Sequence, residues 1–177
     1  MLYKELRESE IDMALFNSFD RYQEVKKCWR KENEKWKLKD VVFTEQWGFD
    51  EYKFLVECLQ NTVKTGGVVL GAFSNSRLIG FASVENEHFG SKKEYLQLSS
   101  MHISSNSRGM GIGKELFRRA SKKAKEMGAK KLYISAHSSK ETVAFYENIG
   151  CIEAKEYNAK LVADEPFDCQ LEYPLVD

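Results

Sequence analysis

The sequence is short of several features that would assign a chain to a particular class of protein. It carries no net charge, because 27 lysine and arginine residues balance 27 aspartate and glutamate residues. This balance removes the general attraction of a basic protein for a nucleic-acid backbone. The longest uncharged runs, such as Tyr95–Ser107, are shorter than the roughly 18 residues of a membrane span. We therefore expect neither nucleic acid nor a membrane as a partner.

Cysteine pairs at metal-ligand spacing are also absent. The four cysteines, Cys28, Cys58, Cys151 and Cys169, lie far apart, without a CxxC motif or a suitably spaced histidine. We expect reduced, mostly buried thiols and no metal. The first ten residues lack the apolar core of a signal peptide, so the expected location is cytoplasmic. The 177 residues are enough for one domain with a hydrophobic core, so we interpret 1–177 as a single domain.

The apolar pattern of the first third of the chain indicates helices. Apolar residues recur at spacings of three, four and seven between Ile11 and Trp36, at Leu15, Phe19, Tyr22, Val25, Trp29 and Trp36. A second segment repeats this spacing from Tyr52 to Val63. Residues 1–64 are therefore predicted to form a helical portion of the chain.

The pattern then changes to strands that alternate with helices. The runs VVLGAFS and RLIGFASVE flank Asn75 and Ser76, which indicates a β-hairpin. The remaining predicted elements are a strand over Tyr95–Ile103, a helix from Ile112 to Met127 with Gly128 at its C-cap, a strand KKLYISA, a helix opened by the capping box of Ser138 and Glu141, and two last strands, IEAKEY and FDCQLEY.

Charge is unevenly distributed in the second half of the chain. The range Lys114–Lys131 holds eight basic and two acidic residues, whereas Glu147–Asp177 holds two basic and eight acidic ones. Both ranges are typical of solvated faces. The alternative, left open by the sequence, is that the basic range meets a ligand that carries phosphate.

The stretch SRGMGIGKELF places three glycines at alternate positions between a strand and a helix. Free N–H groups at a helix N-terminus, with the positive end of the helix dipole behind them, bind anions. A P-loop is excluded because Arg108 stands where its first glycine belongs and Glu115 replaces its Ser or Thr. A dinucleotide fingerprint is excluded because Leu116 replaces its third glycine.

The motif R-x-x-G-x-G, formed by Arg108, Gly111 and Gly113, together with the later run FYENIG, resembles the GCN5-related N-acetyltransferase (GNAT) family. The resemblance covers 68–152, which would be the acetyl-CoA-binding core. It implies an α+β fold with a mixed, mostly antiparallel central sheet, a splayed parallel strand pair and flanking helices. It also implies that acetyl-CoA is a co-substrate, that no metal takes part and that the helical portion 1–64 lies on the side of the acceptor substrate.

The resemblance implies roles for individual residues. The strand before the loop would bind pantetheine through its backbone, the loop amides would bind the pyrophosphate, and Tyr146 would protonate the departing thiolate. Ser139 stands where the family usually has Asn. The residues expected at the cofactor are Met101, His102, Ile103, Arg108, Gly109, Met110, Gly111, Ile112, Gly113, Lys114, Ser139 and Tyr146.

The resemblance does not supply a general base. Gln97 stands where some family members have a glutamate, and an amide cannot accept the proton. Glu94 ranks first among the nearby candidates. The other candidates are Glu85, Glu87, His102 and His137, and a chain of waters could link one of these residues to the amine.

The expected function is transfer of an acetyl group from acetyl-CoA to the primary amine of a small molecule. Acidic residues near the end of the chain, Glu165, Asp168 and Glu172, suit a cationic amine, and most aromatic residues of the N-terminal portion are expected in the core. Two alternatives stay open: an acetyltransferase of protein or peptide amines, and a non-catalytic acyl-CoA sensor with the same fold. Whether the chain forms a homodimer also stays open.

Overall fold

The computed structural model describes residues 1–176. Its strands are β1 (Leu2–Glu5), β2 (Gln23–Glu32), β3 (Lys35–Glu45), β4 (Val68–Ser74), β5 (Arg77–Val84), β6 (Tyr95–Ile103), β7 (Lys131–Ala136), β8 (Ile152–Glu153) and β9 (Cys169–Pro174). Its α-helices are α1 (Phe49–Lys64), α2 (Ile112–Glu126), α3 (Lys140–Asn148) and α4 (Ala159–Asp164). Short 3₁₀ turns occupy Glu8–Glu10, Met13–Phe16 and Ser105–Ser107.

Seven strands form one sheet in the order β1-β4-β5-β6-β7-β9-β8, and β2 pairs with β3 in a separate hairpin. All neighbours in the seven-stranded sheet are antiparallel except β6 and β7. Those two pair in parallel over only three positions, from Tyr95↔Lys131 to Gln97↔Tyr133. The predicted α+β fold, with its mostly antiparallel sheet and splayed parallel pair, is confirmed.

Helices cover both faces of the sheet. Leu116 and Ala120 of α2 pack with Leu70 on one face, whereas Leu59 of α1 packs with Val69 on the other. Because neighbouring side chains of a strand point to opposite faces, β4 is apolar at consecutive positions. The predicted stripe of α2 is buried as expected, and the helix ends before Gly128, whose φ is +94°.

The prediction of helix from Ile11 to Trp36 is wrong. This part of the chain contains two 3₁₀ turns and then the β2–β3 hairpin, whose turn at Asn33 and Glu34 has positive φ values of 49° and 62°. The pairing shifts between Val25↔Phe43 and Lys27↔Asp40, which is a bulge with its extra residue on β3, and both Val25 and Cys28 of β2 are in the core at a spacing of three. That spacing imitated a helical period. The helix predicted over Tyr52–Val63 is confirmed as part of α1.

Three smaller predictions near the end of the chain need correction. Helix α3 is capped by Ser139, whose Oγ accepts from Thr142 N at 3.3 Å, and not by Ser138. The strand predicted for IEAKEY shrinks to Ile152–Glu153, and α4 follows it without having been predicted. Within 1–176, no helix is both long and apolar enough to cross a membrane.

Candidate functional site

The site lies where β6 and β7 separate. After Gln97↔Tyr133 the two strands no longer pair, and a cavity of about 710 Å³ opens between Leu98–Ile103 and Ile134–His137. A bulge in β6 contributes to the separation: Ser83 pairs with Ser100 and Val84 with Leu98, which leaves Ser99 as an extra residue. An extra residue bends the strand that carries it. Polar main-chain edges of both strands therefore face the gap.

The glycine loop lies at one end of this cavity. Gly109 and Gly111 have φ values of +77° and +79°, which side chains with a Cβ rarely adopt, and an added Cβ would meet nothing within 4 Å. Gly113 lies inside α2, where an added Cβ would come within 3.2 Å of the Phe145 ring. Gly109 and Gly111 are thus needed for the path of the loop, and Gly113 is needed for packing.

The N-terminus of α2 presents free backbone donors to the cavity. The first hydrogen bond of the helix runs from Glu115 N to Gly111 O at 3.1 Å. The N–H groups of Ile112, Gly113 and Lys114 therefore have no acceptor inside the helix. These three residues line the cavity. An anion at this end would meet both the amides and the positive end of the helix dipole.

The basic range on α2 is mostly engaged elsewhere. Arg118 and Arg119 both bind the carboxylate of Glu115 at 2.7 Å, and Lys123 binds Glu5 at 2.8 Å. Only Lys114 of this range lines the cavity. The interpretation of the range as a solvated face therefore describes most of it.

Arg108 turns back from the loop toward the end of β6. Its Nε donates to Ile103 O at 3.3 Å, and burial lowers its pKa while the nearby carboxylate of Asp20 raises it. Arg108, Gly109 and Gly111 line the cavity, whereas the side chain of Met110 does not line it and is 64% exposed. The side chain of Met110 thus lies outside the site.

Tyr146 lies on α3 at the wall of the cavity. It is only 6% exposed, and its ring packs against those of Phe117 and Phe145. Among residues 1–176 its hydroxyl has no hydrogen-bond partner. Burial, with a smaller contribution from Cys151, raises the pKa of Tyr146 above its usual value. The phenol is therefore protonated at neutral pH and free to bind a ligand.

The opposite end of the cavity is built by the N-terminal portion. Arg21 is 6% exposed and donates to Gln23 Oε1 at 2.9 Å and to Glu45 Oε2 at 3.2 Å. Its guanidinium lies over the ring of Trp47 at 5.2 Å, and its Nε–H finds no acceptor within 1–176. Gln23 and Glu24 line the same end. The hairpin thus closes one side of the cavity.

Two histidines face this end. His102 packs between the rings of Trp47 and Phe81, and burial together with the charges of Arg21 and Arg108 lowers its pKa to about 3. His137 accepts from Ser139 N at 3.1 Å through Nδ1, which leaves its proton on Nε2, 3.6 Å from Glu45 Oε1. Burial also lowers the pKa of His137. Both imidazoles are neutral at neutral pH, and His102 is a poor proton acceptor.

Several expected site residues lie elsewhere. Glu94 precedes β6, where its carbonyl accepts from Lys130 N and Lys131 N, so it flanks the paired end of the strands and does not line the cavity. Ser139 is completely buried as the cap of α3. Glu172 is 3% exposed and held by Tyr95 and Lys131, which is a structural role. The other residues expected at the cofactor, apart from Met110, line the cavity.

Asp168 remains on the acceptor side. Its Oδ2 accepts from Ser135 Oγ at 3.0 Å, and Ser135 lines the cavity. Burial raises the pKa of Asp168 to about 6, with further contributions from the charges of Glu165 and Glu45. The carboxylates of Glu45 on β3 and of Glu165, in the same turn as Asp168, therefore both act on Asp168.

Sequence reasoning misses the end of the cavity that the β2–β3 hairpin builds. Because the pattern from Ile11 to Trp36 predicts a helix, it gives no reason to place Arg21, Gln23 or Glu45 at a site. The alternation in KWKLK, just after Asn33, was the signal that could have indicated a strand after a turn.

A sheet that splays at a parallel pair, with a glycine loop and a helix N-terminus at the gap, defines an acyl-CoA-dependent transferase fold. The profile of the Acetyltransferase (GNAT) family matches residues 21–151. The chain belongs to this family and is an acetyl-CoA-dependent N-acetyltransferase. Comparison with curated proteins finds no match.

Solved structures share the fold. The chain is similar to nourseothricin acetyltransferase, with a TM-score of 0.68 and 15% identity over 99% of this chain and 98% of that one. A putative streptothricin acetyltransferase from Bacillus anthracis str. Ames, in complex with acetyl coenzyme A, has a TM-score of 0.68 and 16% identity over 97% and 95% of the two chains. An aminoglycoside 6'-N-acetyltransferase complexed with coenzyme A has a TM-score of 0.56 and 15% identity over 73% and 82%.

Proposed function

We propose that the protein transfers the acetyl group of acetyl-CoA to the primary amine of a cationic small molecule by direct attack on the thioester. The observation that carries the proposal is one continuous cavity with two chemically different ends. Free amides of α2 and Lys114 lie at one end, and carboxylates cluster at the other. Two substrates of opposite charge can therefore meet between β6 and β7.

The amide-rich end is the proposed site of the cofactor. The pyrophosphate would bind the N–H groups that follow Gly111, with Lys114 adding charge. The pantetheine arm would lie in the gap and pair with the unpaired edge of β6 near Met101 and Ile103. In this pose the thioester comes to the middle of the cavity, beside Tyr146.

The chemical step needs a nucleophile, a polarised carbonyl and an acid. The amine nitrogen forms a bond to the thioester carbon, the C–S bond breaks, and the electron pair leaves with sulfur. A main-chain N–H of β6 near Met101 would stabilise the oxyanion of the tetrahedral intermediate. The hydroxyl of Tyr146, which has no partner among residues 1–176, would donate to the departing thiolate.

Charge at the acceptor end favours a cationic amine. Glu24 lines the cavity, Glu45 lies beside Arg21 and His137, and the fields of Glu45 and Glu165 reach Asp168. These carboxylates outnumber the guanidinium of Arg21, so an ammonium group is attracted on approach. The neighbours named for nourseothricin and streptothricin, which span nearly the whole chain, support a small molecule over a protein as the acceptor.

A panel of amines tests the proposal. Nourseothricin, an aminoglycoside, a linear polyamine and a lysine-containing peptide would be incubated with acetyl-CoA, and the free thiol would be followed continuously. We expect turnover with at least one cationic small molecule and a lower kcat/KM for the peptide. Preference for the peptide would favour the alternative of a protein acetyltransferase. Tight binding of acetyl-CoA without turnover of any amine would favour the sensor.

A further inference from the structure

The acetyl transfer must remove a proton from an ammonium group, and neither Glu94, the first candidate base, nor His102 fits this role. Gln97 is an amide, and Glu94 lies at the far end of the paired strands. The pKa of His102 is too low, because burial and two guanidinium groups disfavour its charged form. A proton acceptor must therefore be sought among groups connected to the cavity.

A chain of serine hydroxyls leads from the cavity wall to a carboxylate. Ser100 Oγ lies 2.5 Å from Ser83 Oγ, and Ser83 Oγ lies 2.7 Å from Ser99 Oγ. Ser99 Oγ donates to Glu85 Oε1 at 2.6 Å. Ser99 and Ser100 both line the cavity, whereas Ser83 is 1% exposed. The three serine hydroxyls thus connect the cavity with Glu85 through an unbroken series of hydrogen bonds.

The carboxylate of Glu85 sets the direction in which these serine hydroxyls donate their hydrogen bonds. A serine hydroxyl has one hydrogen to donate, and Ser99 gives it to Glu85. Ser83 must then donate to Ser99, and Ser100 must donate to Ser83. The oxygen of Ser100 is left with lone pairs at the cavity wall, where it can accept a hydrogen bond from an ammonium group.

The bulge of β6 makes the arrangement geometrically feasible. In a regular strand Ser99 and Ser100 would point to opposite faces of the sheet. Because Ser99 is the extra residue of the bulge, both hydroxyls reach the same partner on β5. The feature that separates β6 from β7 thus also builds the chain of hydroxyls.

The surroundings of Glu85 suit a proton acceptor. Thr62 Oγ1 of α1 lies 2.7 Å from Glu85 Oε1, and the thiol of Cys58 on the same helix feels the charge of Glu85. No lysine, arginine or histidine within residues 1–176 forms an ion pair with Glu85. Glu85 is partly exposed to solvent, so a proton delivered to it can pass on to water.

We propose that Glu85 is the terminal proton acceptor of acetyl transfer and that Ser100, Ser83 and Ser99 conduct the proton to it. The inference rests on the proposed function. The ammonium gives its proton to Ser100 Oγ, each hydroxyl passes its own proton onward, and the carboxylate of Glu85 becomes a carboxylic acid. The neutral amine then attacks the thioester. Ser99 can also accept the proton directly, since it lines the cavity and contacts Glu85.

The pH profile of Glu85→Gln tests the relay. Glutamine keeps the shape and still accepts from Ser99, so the fold is preserved. We expect kcat/KM to fall about 10- to 100-fold at pH 7. The ratio of the wild-type kcat/KM to that of the variant should fall toward one as the pH approaches about 10, where an alkyl amine loses its proton unaided. The substrate is nourseothricin, or whichever panel amine has the highest kcat/KM.

The matched control is Glu87→Gln, because Glu87, although a candidate base in the sequence, is exposed and neither lines the cavity nor belongs to the hydroxyl chain. It should keep the wild-type profile. Ser99→Ala should show the same pH-dependent loss of kcat/KM as Glu85→Gln. The double variant of Ser99→Ala and Glu85→Gln should lose no more than either single variant. Ser99→Thr keeps a hydroxyl at this position and should therefore be more active than Ser99→Ala. A deficit in Glu85→Gln that is equal at all pH values would overturn the relay, as would additive losses in the double variant. If wild-type protein acetylates no amine, the proposed function fails and the relay falls with it.

Discussion

Replacing Tyr146 by phenylalanine separates catalysis from folding unusually well in this site. The hydroxyl has no partner within residues 1–176, whereas the ring contacts with Phe117 and Phe145 stay in the variant. Loss of a structural hydrogen bond would lower the free energy of unfolding by about 1 kcal/mol. Here no such bond exists, so we expect a change within about 0.5 kcal/mol.

The size of the catalytic effect follows from two pKa values. The thiol of coenzyme A, if it resembles cysteine, has a pKa of about 8.5, and an ordinary phenol has one of about 10. Burial raises the pKa of Tyr146 further, so complete proton transfer runs uphill by more than about 1.5 pKa units. The phenol then acts mainly as a hydrogen-bond donor to developing negative charge. We expect kcat to fall about 10- to 100-fold, or about 1.4 to 2.8 kcal/mol.

The assay is a set of paired measurements on one preparation. Thiol release gives kcat and KM with the best amine, calorimetry gives the affinity for acetyl-CoA, and denaturation gives the midpoint of unfolding. The control is Tyr173→Phe. Tyr173 also packs on Phe117, at 5.0 Å, but lies outside the lining of the cavity. This variant should keep the wild-type kcat.

Three outcomes would refute the reasoning in different ways. A kcat within twofold of wild type would remove Tyr146 from the mechanism. Activity that falls only in proportion to the folded fraction would assign Tyr146 a structural role. Equal losses in kcat for Tyr146→Phe and Tyr173→Phe would show that the effect is not specific to the cavity.

Three further predictions address the cofactor, the loop and the acidic cluster. Acetyl-CoA at 100 times its Kd should stabilise the fold by about 2.7 kcal/mol in a melting experiment, and a larger shift with NADH would contradict the assigned loop. Gly111→Val should cost about 1 to 2 kcal/mol of stability because φ is +79°, and should weaken acetyl-CoA binding in calorimetry. Gly111→Asn should be more stable than Gly111→Val, because asparagine tolerates positive φ, and equal melting points of these two variants would contradict the strain argument. Because burial raises the pKa of Asp168 from 3.8 to about 6, the unfolded chain binds fewer protons between these values, and stability falls as the pH rises through them. Asp168→Asn should remove this loss of stability. With a discount for solvent screening, we expect the free energy of unfolding of the variant to exceed that of the wild type by about 1 kcal/mol at pH 7.5. A melting point with the same pH dependence in both proteins would contradict this prediction.

Local patterns in the sequence are sufficient to predict the half of the cavity that contains the glycine loop. The hairpin at Asn75 and Ser76, the strand Tyr95–Ile103 and the helix from Ile112 are all local patterns, and each one formed where it was predicted. A loop that needs positive φ can be recognised from glycine alone, because few other residues adopt that conformation. The order of these elements then fixes which strand end meets which helix N-terminus.

The half of the cavity that the hairpin builds depends on contacts between distant parts of the chain. Val25 and Cys28 are both buried at a spacing typical of a helix, and nothing local reveals that Trp29 N pairs with Ser138 O, 109 positions further on. The hydroxyl chain to Glu85 depends on the register of two strands and on one extra residue, Ser99. Register is a long-range property, because it is set by which faces become buried once the sheet has assembled. Glu85 is one of several candidate bases in the sequence, and only the pairing of β5 with β6 connects it to the cavity.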